Sequence, residues 1–245
     1  MTNPGPATAG PAAHDRALRL LHVSDLHLEE PKDARHISQL AVLAAEHAAS
    51  VLLIVGDFFD HGRVSEATLQ AVADELRQVR AQVVILPGNH DPFMPGSPYV
   101  RAALGDNVHV LCAPGGETYE VADLDLAIWG RPHCSYDDFR PMERIPPRGP
   151  ATWQVAMAHG HLTRGPADLQ RAYPIDPAEI AASDRDYVAL GHWDLPFDAS
   201  SGAVVAAYSG SPSRSRVCAL TTMALDRRGR RTVRVERVAL PRSGQ

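Results

Sequence analysis

Lysine is almost missing from this 245-residue chain: Lys32 is the only one, and arginine supplies the other basic side chains. That bias is as well explained by composition as by phosphate recognition, so it assigns no nucleic-acid surface. The formal charge of -5 and a pI of about 6.2 also lack the basic footprint, pI above ~9, of a dedicated nucleic-acid-binding domain. Cysteine is scarce as well. Cys112, Cys134 and Cys218 are odd in number, far apart and in no CxxC pair, which argues against a disulfide framework or a thiolate zinc site and suits a reducing cytoplasm. No window approaches ~18 uninterrupted apolar residues, so no membrane-spanning helix is expected. Aromatics make up 6% against 44% hydrophobic and 22% charged residues, a globular composition that excludes collagen-like, coiled-coil and wholly disordered chains.

The stretch 1–15 is small, Pro- and Gly-rich and nearly uncharged, without the basic start or apolar stretch of a signal peptide. It reads as a disordered tail before a single domain over 16–245. Short apolar runs then recur, each ending in a polar cluster: RALRLLHVSD, SVLLIVGD, AQVVILPGNHD, LDLAIWGRPH, TWQVAMAHGH and DYVALGHWD. Such runs suit buried strands. Helix-period segments at 34–49 and 65–80 separate the first three, giving β-α-β-α-β. Weaker helical stretches lie near 166–172 and 177–182, and CALTTMALD with RRTVRVERVAL about a DRRGR turn reads as a closing hairpin. The expected architecture is α/β (α+β): a four-layer sandwich of two mixed β-sheets face to face, flanked by helices.

The residues just after the runs are Asp25, His27, Asp57, Asp60, Asn89, His90, Asp91, His159, His161, His192 and Asp194. Any one of them alone is an ordinary turn former, cap or hydrogen-bonded histidine. Together they are a set of metal ligands at strand ends. Asp25 and His27, like His192 and Asp194, are two apart, which on an extended strand end puts both side chains on one face. Glycine precedes Asp57, Asn89 and His192 and lets the backbone turn sharply. Imidazole, carboxylate and amide donors without thiolate suit Mn²⁺, Fe or Zn²⁺. So many donors exceed what one ion needs, and a pair ~3.5 to 4 Å apart, bridged by one carboxylate, accounts for them.

In order these segments read DLH, GDFFD, GNHD, HGH and GHWD. This pattern resembles the calcineurin-like metallophosphoesterases, and YVALGHWD and YSGSP look most like the phosphoesterase domain of SbcD-type DNA repair nucleases. The resemblance implies that Asp25, His27 and Asp57 hold one divalent ion, that Asp57 bridges, and that Asn89, His192 and a histidine of HGH hold the second. His159 is the first choice for that histidine, with His161 the alternative. It further implies that His90 protonates the leaving oxygen as the catalytic acid. Asp60 and Asp91 look like carboxylates that orient ligands and His90, or else surface turn residues. Arg131, His133 and Arg164 follow apolar runs and are candidate phosphate contacts, or else solvated surface.

Where the family shows GHxH, this chain has Asp194, a harder and more anionic donor that points to Mn²⁺ over Zn²⁺. The chain also ends just after the expected hairpin, without the further DNA-capping and partner-binding segments of the SbcD-type proteins. The leading expectation is therefore a cytoplasmic, Mn²⁺-dependent phosphodiesterase acting on DNA, a nuclease preferring single strands, monomeric or weakly dimeric, working beside other repair proteins. The alternative keeps the metals and takes a small phosphate ester, a cyclic nucleotide or phosphomonoester.

Overall fold

A computed structural model describes residues 17–165, 168 and 170–241. The expected tail at 1–15 lies outside the described residues, and the helical stretch near 166–172 lies partly outside them. In chain order the strands are β1 (Leu18–Val23), β2 (Val51–Val55), β3 (Gln82–Leu86), β4 (Val108–Val110), β5 (Glu117–Val121), β6 (Leu126–Gly130), β7 (Trp153–His159), β8 (His161–Leu162), β9 (Pro174–Ile175), β10 (Tyr187–Gly191), β11 (Phe197–Asp198), β12 (Val205–Tyr208), β13 (Val217–Leu225) and β14 (Arg231–Ala239). The helices are α1 (Arg35–Glu46), α2 (Glu66–Leu76), α3 (Pro98–Arg101), α4 (Pro177–Ala182) and α5 (Pro212–Ser215).

Two six-stranded mixed sheets result. One runs β14-β13-β1-β2-β3-β4 and the other β11-β12-β10-β7-β6-β5. The β1-β2-β3-β4 and β6-β7-β10-β12 stretches are parallel, and β13, β14, β5 and β11 add antiparallel, so that every edge but β4 is antiparallel. The apolar runs are continuous because each central strand is buried on both faces. Leu53 and Val55 of β2 and Val84 and Leu86 of β3 point between the sheets and meet Val155, Met157 and Ala189. Their neighbours Leu52, Ile54, Val83 and Ile85 point the other way, against Ile37 and Leu40 of α1 and Leu69, Val72 and Leu76 of α2.

The helical layer is unequal. α1 and α2 cover the first sheet, whereas the outer face of the second meets Ile180 of the six-residue α4 together with Met142 and Ile145 from an irregular segment. The expected helical fourth layer is thus largely a loop layer, because 131–152 carries too much proline and too little periodicity to wind. Strands β4 and β5 were not expected from the sequence. Both are edge strands with half-exposed patterns, so neither shows an apolar run. The expected closing hairpin is β13–β14, and β13 joins β1 antiparallel.

Candidate metal centre

The carboxyl ends of β1, β2, β3, β7 and β10 converge, the usual ligand position of such sheets. Backbone bonds tie the loops together there: Asp25 N–H donates to Gly56 O at 3.1 Å, His27 N–H to Asp57 O at 3.0 Å, and Gly56 N–H to Leu86 O at 2.8 Å. Asp25, His27, Asp57 and His192 all have positive φ. Such values are uncommon outside glycine, though Asp and His tolerate them better than most, and here the cross-loop bonds over-determine them. Gly56 has φ +80°, and a Cβ there would stand 1.9 Å from Nδ1 of His159, so the His159 ring packs directly against this glycine.

Two groups of ligand atoms form at these strand ends, each within 4.8 Å: His27, Asp57 and His90, and Asp57, His159 and His192; a third, more exposed group is Glu29, Asp60 and His61. Asp57 belongs to both. Its Oδ2 is 3.9 Å from Nε2 of His27 and 3.3 Å from Nε2 of His159, while Oδ1 accepts the N–H of His90 at 2.9 Å. Oδ1 of Asn89 lies 3.1 Å from Nε2 of His159 and 3.2 Å from Nδ1 of His192. Asp25 is buried beside them, and its Oδ2 accepts the N–H of His192 at 3.0 Å.

The hydrogen-bond chemistry tests whether a cation belongs here. Nδ1 of His159 is 2.9 Å from the Val55 carbonyl, which only accepts, so Nδ1 carries a proton. In the neutral ring Nε2 then turns a lone pair on the oxygens of Asp57 and Asn89. Acceptors face acceptors, and only a positive charge reconciles them. Without a metal that charge is a proton on Nε2: burial opposes a charged His159, but the Asp57 carboxylate and its hydrogen bond, with Asp25, outweigh it and push the imidazole up to about 9, and a divalent cation would take the place of that proton. Asp57 is held well below the usual carboxylate range, because His159 overcomes the effect of burial. Burial first, then the charge of His159, pushes His192 down to about 4, leaving a neutral ring with a lone pair to give. The donor set therefore fits divalent cations.

Other expected residues sort themselves by placement. Asp60 accepts from Nδ1 of His27 at 3.0 Å and so orients that ring. Asp91 is fully buried, which excludes a surface turn; it accepts the N–H groups of Phe59 and Gly88 at 2.8 Å each, and the Tyr99 hydroxyl. It braces two loop backbones and has no bond to the His90 ring. Burial, then the charge of Asp57, pushes Asp91 up to about 6. Nδ1 of His161 accepts from Nε1 of Trp193 at 3.2 Å, which sets His161 beside the cluster that His159 enters.

Three expectations are corrected. His133 is fully buried beneath the site, with Nε2 donating to the His159 carbonyl at 3.1 Å, so no phosphate reaches it. Arg131 is spent on Glu143, the Pro114 and Arg140 carbonyls and the Phe139 ring, which leaves it no free fork for a phosphate. Asp194 is 60% exposed with its carboxylate 4.0 Å from Nε of Arg214, and it joins neither ligand group. The argument for Mn²⁺ over Zn²⁺ from a carboxylate in this place lapses with it.

Around the ligands lies a cavity of about 480 Å³ whose further wall is His161, Trp193, Asp194 and Leu195. Trp193 and Leu195 were missed in the sequence. The available signal was a bulky ring between His192 and Asp194 in a chain with only three tryptophans. The YSGSP segment, in turn, braces the first loop: Ser211 Oγ donates to Asp25 O at 2.8 Å, and Ser209 Oγ is 3.0 Å from Ser24 Oγ.

Comparison with known proteins agrees with this geometry. Residues 18–194 match the family model of the calcineurin-like phosphoesterases. The chain belongs to that family. Calcineurin-like phosphoesterases are hydrolases that use a binuclear divalent metal centre, and the two groups sharing Asp57 are the candidate residues for it in this chain. The 3′,5′-cyclic adenosine monophosphate phosphodiesterase CpdA of Escherichia coli K12 is 28% identical over 165 residues, 62% of this chain. The chain spans about 58% of the length of that relative. A Staphylococcus aureus protein assigned as a 5′-nucleotidase has the same fold at 16% identity, with a TM-score of 0.62 over 94% of this chain and 55% of its own. TT1561 of Thermus thermophilus shares it at 15% identity, with a TM-score of 0.54 over 91% of this chain and 99% of its own. These relatives do not show the expected SbcD-type likeness. Among the described residues, no helix is long and apolar enough to cross a membrane.

Proposed function

We propose that this chain is a binuclear phosphodiesterase acting on small nucleoside phosphodiesters, cyclic nucleotides first among them. The observation that carries the reading is the sharing of Asp57 between two ligand groups on the floor of a cavity of about 480 Å³, within the ~300–1,000 Å³ range of small-molecule sites. The likeness to a cyclic-nucleotide phosphodiesterase supports the choice of substrate. DNA cleavage fits less well, since Arg131 and His133 are removed from the roll of phosphate contacts and the chain is acidic overall.

Asp25, His27 and Asp57 would hold one ion, and Asp57, Asn89, His159 and His192 the other. Bound there, the ions supply neutralisation of the phosphate charge and an acidified water as nucleophile. The donor set accommodates Mn²⁺, Fe or Zn²⁺. Asp60 holds the His27 ring in register, and the Val55 carbonyl does the same for His159. Nδ1 of His90 is 3.0 Å from the Asp60 carbonyl, so it donates there, and in the imidazolium form Nε2 would carry the second proton and pass it to the leaving oxygen.

The test is a panel of 3′,5′-cyclic nucleotide, nucleoside 5′-monophosphate and circular single-stranded DNA, each with Mn²⁺, Fe²⁺ and Zn²⁺. Turnover of the cyclic nucleotide above the other two is the expected result, and cleavage of the DNA circle alone overturns it. Asp57→Asn should lose both bound metal and turnover while keeping its circular dichroism spectrum. Retained turnover at saturating metal would refute the bridging role.

A further inference from the structure

The cavity holds more carboxylate than its ligand set uses. Asp25, Asp57 and Asp194 all line it, whereas no arginine or lysine is found among the described residues that do. Asp25 and Asp57 lie in the ligand cluster, where bound ions would offset them. Asp194 joins neither ligand group and is 60% exposed. Its carboxylate is therefore a free negative charge in the cavity wall.

The surroundings fix that residue in place without neutralising it. The Asp194 carbonyl accepts the Ser211 N–H at 2.9 Å, and Ser211 Oγ in turn donates to Asp25 O at 2.8 Å, so the Asp194 backbone is tied to the loop that carries Asp25. The counter-charge is loose. Nε of Arg214 stands 4.0 Å from Oδ2 of Asp194 on a side chain that is 73% exposed, and Arg214 is not part of the cavity wall. An ion pair so long and so open to water offsets little of the charge.

One unit of charge is what separates the two kinds of phosphate ester. A diester carries a single negative charge on two non-bridging oxygens, whereas a monoester above its second pKa of ~6 carries two on three oxygens. The additional charge calls for a cation, most often a guanidinium, and this cavity wall presents a carboxylate instead. Resting on the proposed function, we infer that Asp194 is a specificity-determining residue: its charge discriminates against dianionic monoesters and so reserves the site for monoanionic diesters. The inference gives a role to the aspartate of GHWD, which the metal centre leaves unused.

The experiment compares nitrophenyl phosphate with methyl nitrophenyl phosphate at pH 8, two substrates with the same leaving group that differ by one charge. The readout is the ratio of kcat/KM for monoester over diester, at ionic strengths of ~0.01 M and ~1 M, where the Debye length is ~30 Å and ~3 Å. Asp194→Asn keeps the shape of the side chain and removes its charge. It should raise the ratio about threefold or more at low salt, the order expected of one unit of charge in a solvent-open site, and much less at high salt. Arg214→Gln, which takes away the loose counter-charge, should lower the ratio. Calorimetry gives a readout without turnover: in metal-loaded Asp194→Asn, methyl phosphate should gain affinity relative to dimethyl phosphate, with metal content at the wild-type level. Loss of metal in that variant overturns the inference, because Asp194 is then a ligand. A ratio that is unchanged, that shifts equally at both salt concentrations, or that rises in Arg214→Gln overturns it too, since charge is then not what discriminates. Wild-type protein that, with metal bound, turns over the monoester and not the diester overturns the inference and the proposed function together. Protein inactive on both overturns the proposed function alone, and the calorimetric comparison still decides the role of Asp194.

Discussion

The His90 ring stands edge-on to His27, centroids 4.7 Å apart, on the exposed side of the cluster. Its backbone N–H is spent on Asp57 and its Nδ1 on the Asp60 carbonyl, so both the position and the tautomer of the ring are set before a substrate arrives. If its role is acid catalysis, His90→Asn should slow a diester with an alkoxide leaving group by ~10² to 10⁴ and slow a nitrophenolate diester much less, with metal content unchanged. Equal slowing of both, or loss of metal, would make His90 a ligand or a positioning residue. At this scale the sequence was legible in part: Asp25, His27, Asp57, Asn89 and His192 line one cavity, but Asp194 joins neither ligand group, and the positive φ of Asp25, His27 and His192 is not the extended strand end on which the i, i+2 spacing would select a face. What it concealed depends on neighbours far along the chain. Nothing near Arg131 in sequence shows that Glu143 and Phe139 would occupy it, and nothing near Asp194 shows that Arg214 lies on its outer side.

At the scale of elements, α1 and α2 were legible because their apolar period faces a sheet, and the start of α2 was legible for a local reason. Ser65 has extended backbone (φ −68°, ψ 155°), and its Oγ accepts the Thr68 N–H at 3.1 Å, satisfying one of the donors a helix start leaves unpaired. Ser65→Ala should therefore lower unfolding free energy by about 1 kcal/mol in urea titrations, and Ser65→Asp, which restores an acceptor, should recover most of it. Equal loss in both variants would mean that the Ser65–Thr68 hydroxyl contact, 2.9 Å, matters more than the cap. The elements that escaped notice are short or at sheet edges. β4 has three residues and β5 alternates with partial exposure, so hydrophobic patterning gives them little signal. The layer over the second sheet is mostly irregular, and such packing has no period to detect.

Across the whole molecule, the facing of two sheets was legible from the continuous apolar runs, but not the polar group enclosed between them. His22 of β1 shares with Leu20 the face toward the second sheet, is fully buried, and has Nδ1 2.8 Å from the Tyr187 hydroxyl of β10. Burial pushes its imidazole down to about 3, so the folded state keeps it neutral. In the unfolded chain the same ring titrates near 6.5. Between those two values the unfolded state binds one more proton than the folded state, so stability falls as pH falls, by about 1.4 kcal/mol per pH unit for this one group; above pH 6.5 it contributes no slope. Carboxylates also titrate on the way down, and comparison with a variant removes them. His22→Asn keeps a polar atom near the Nδ1 position without an ionisable ring. In metal-free protein, urea unfolding at pH 7, 6, 5 and 4 should give a free energy that declines less steeply in His22→Asn than in the wild type, by close to one proton below pH 6. A parallel pair of curves would mean that His22 already accepts a proton within the folded core, and that the clasp between the two sheets is charged.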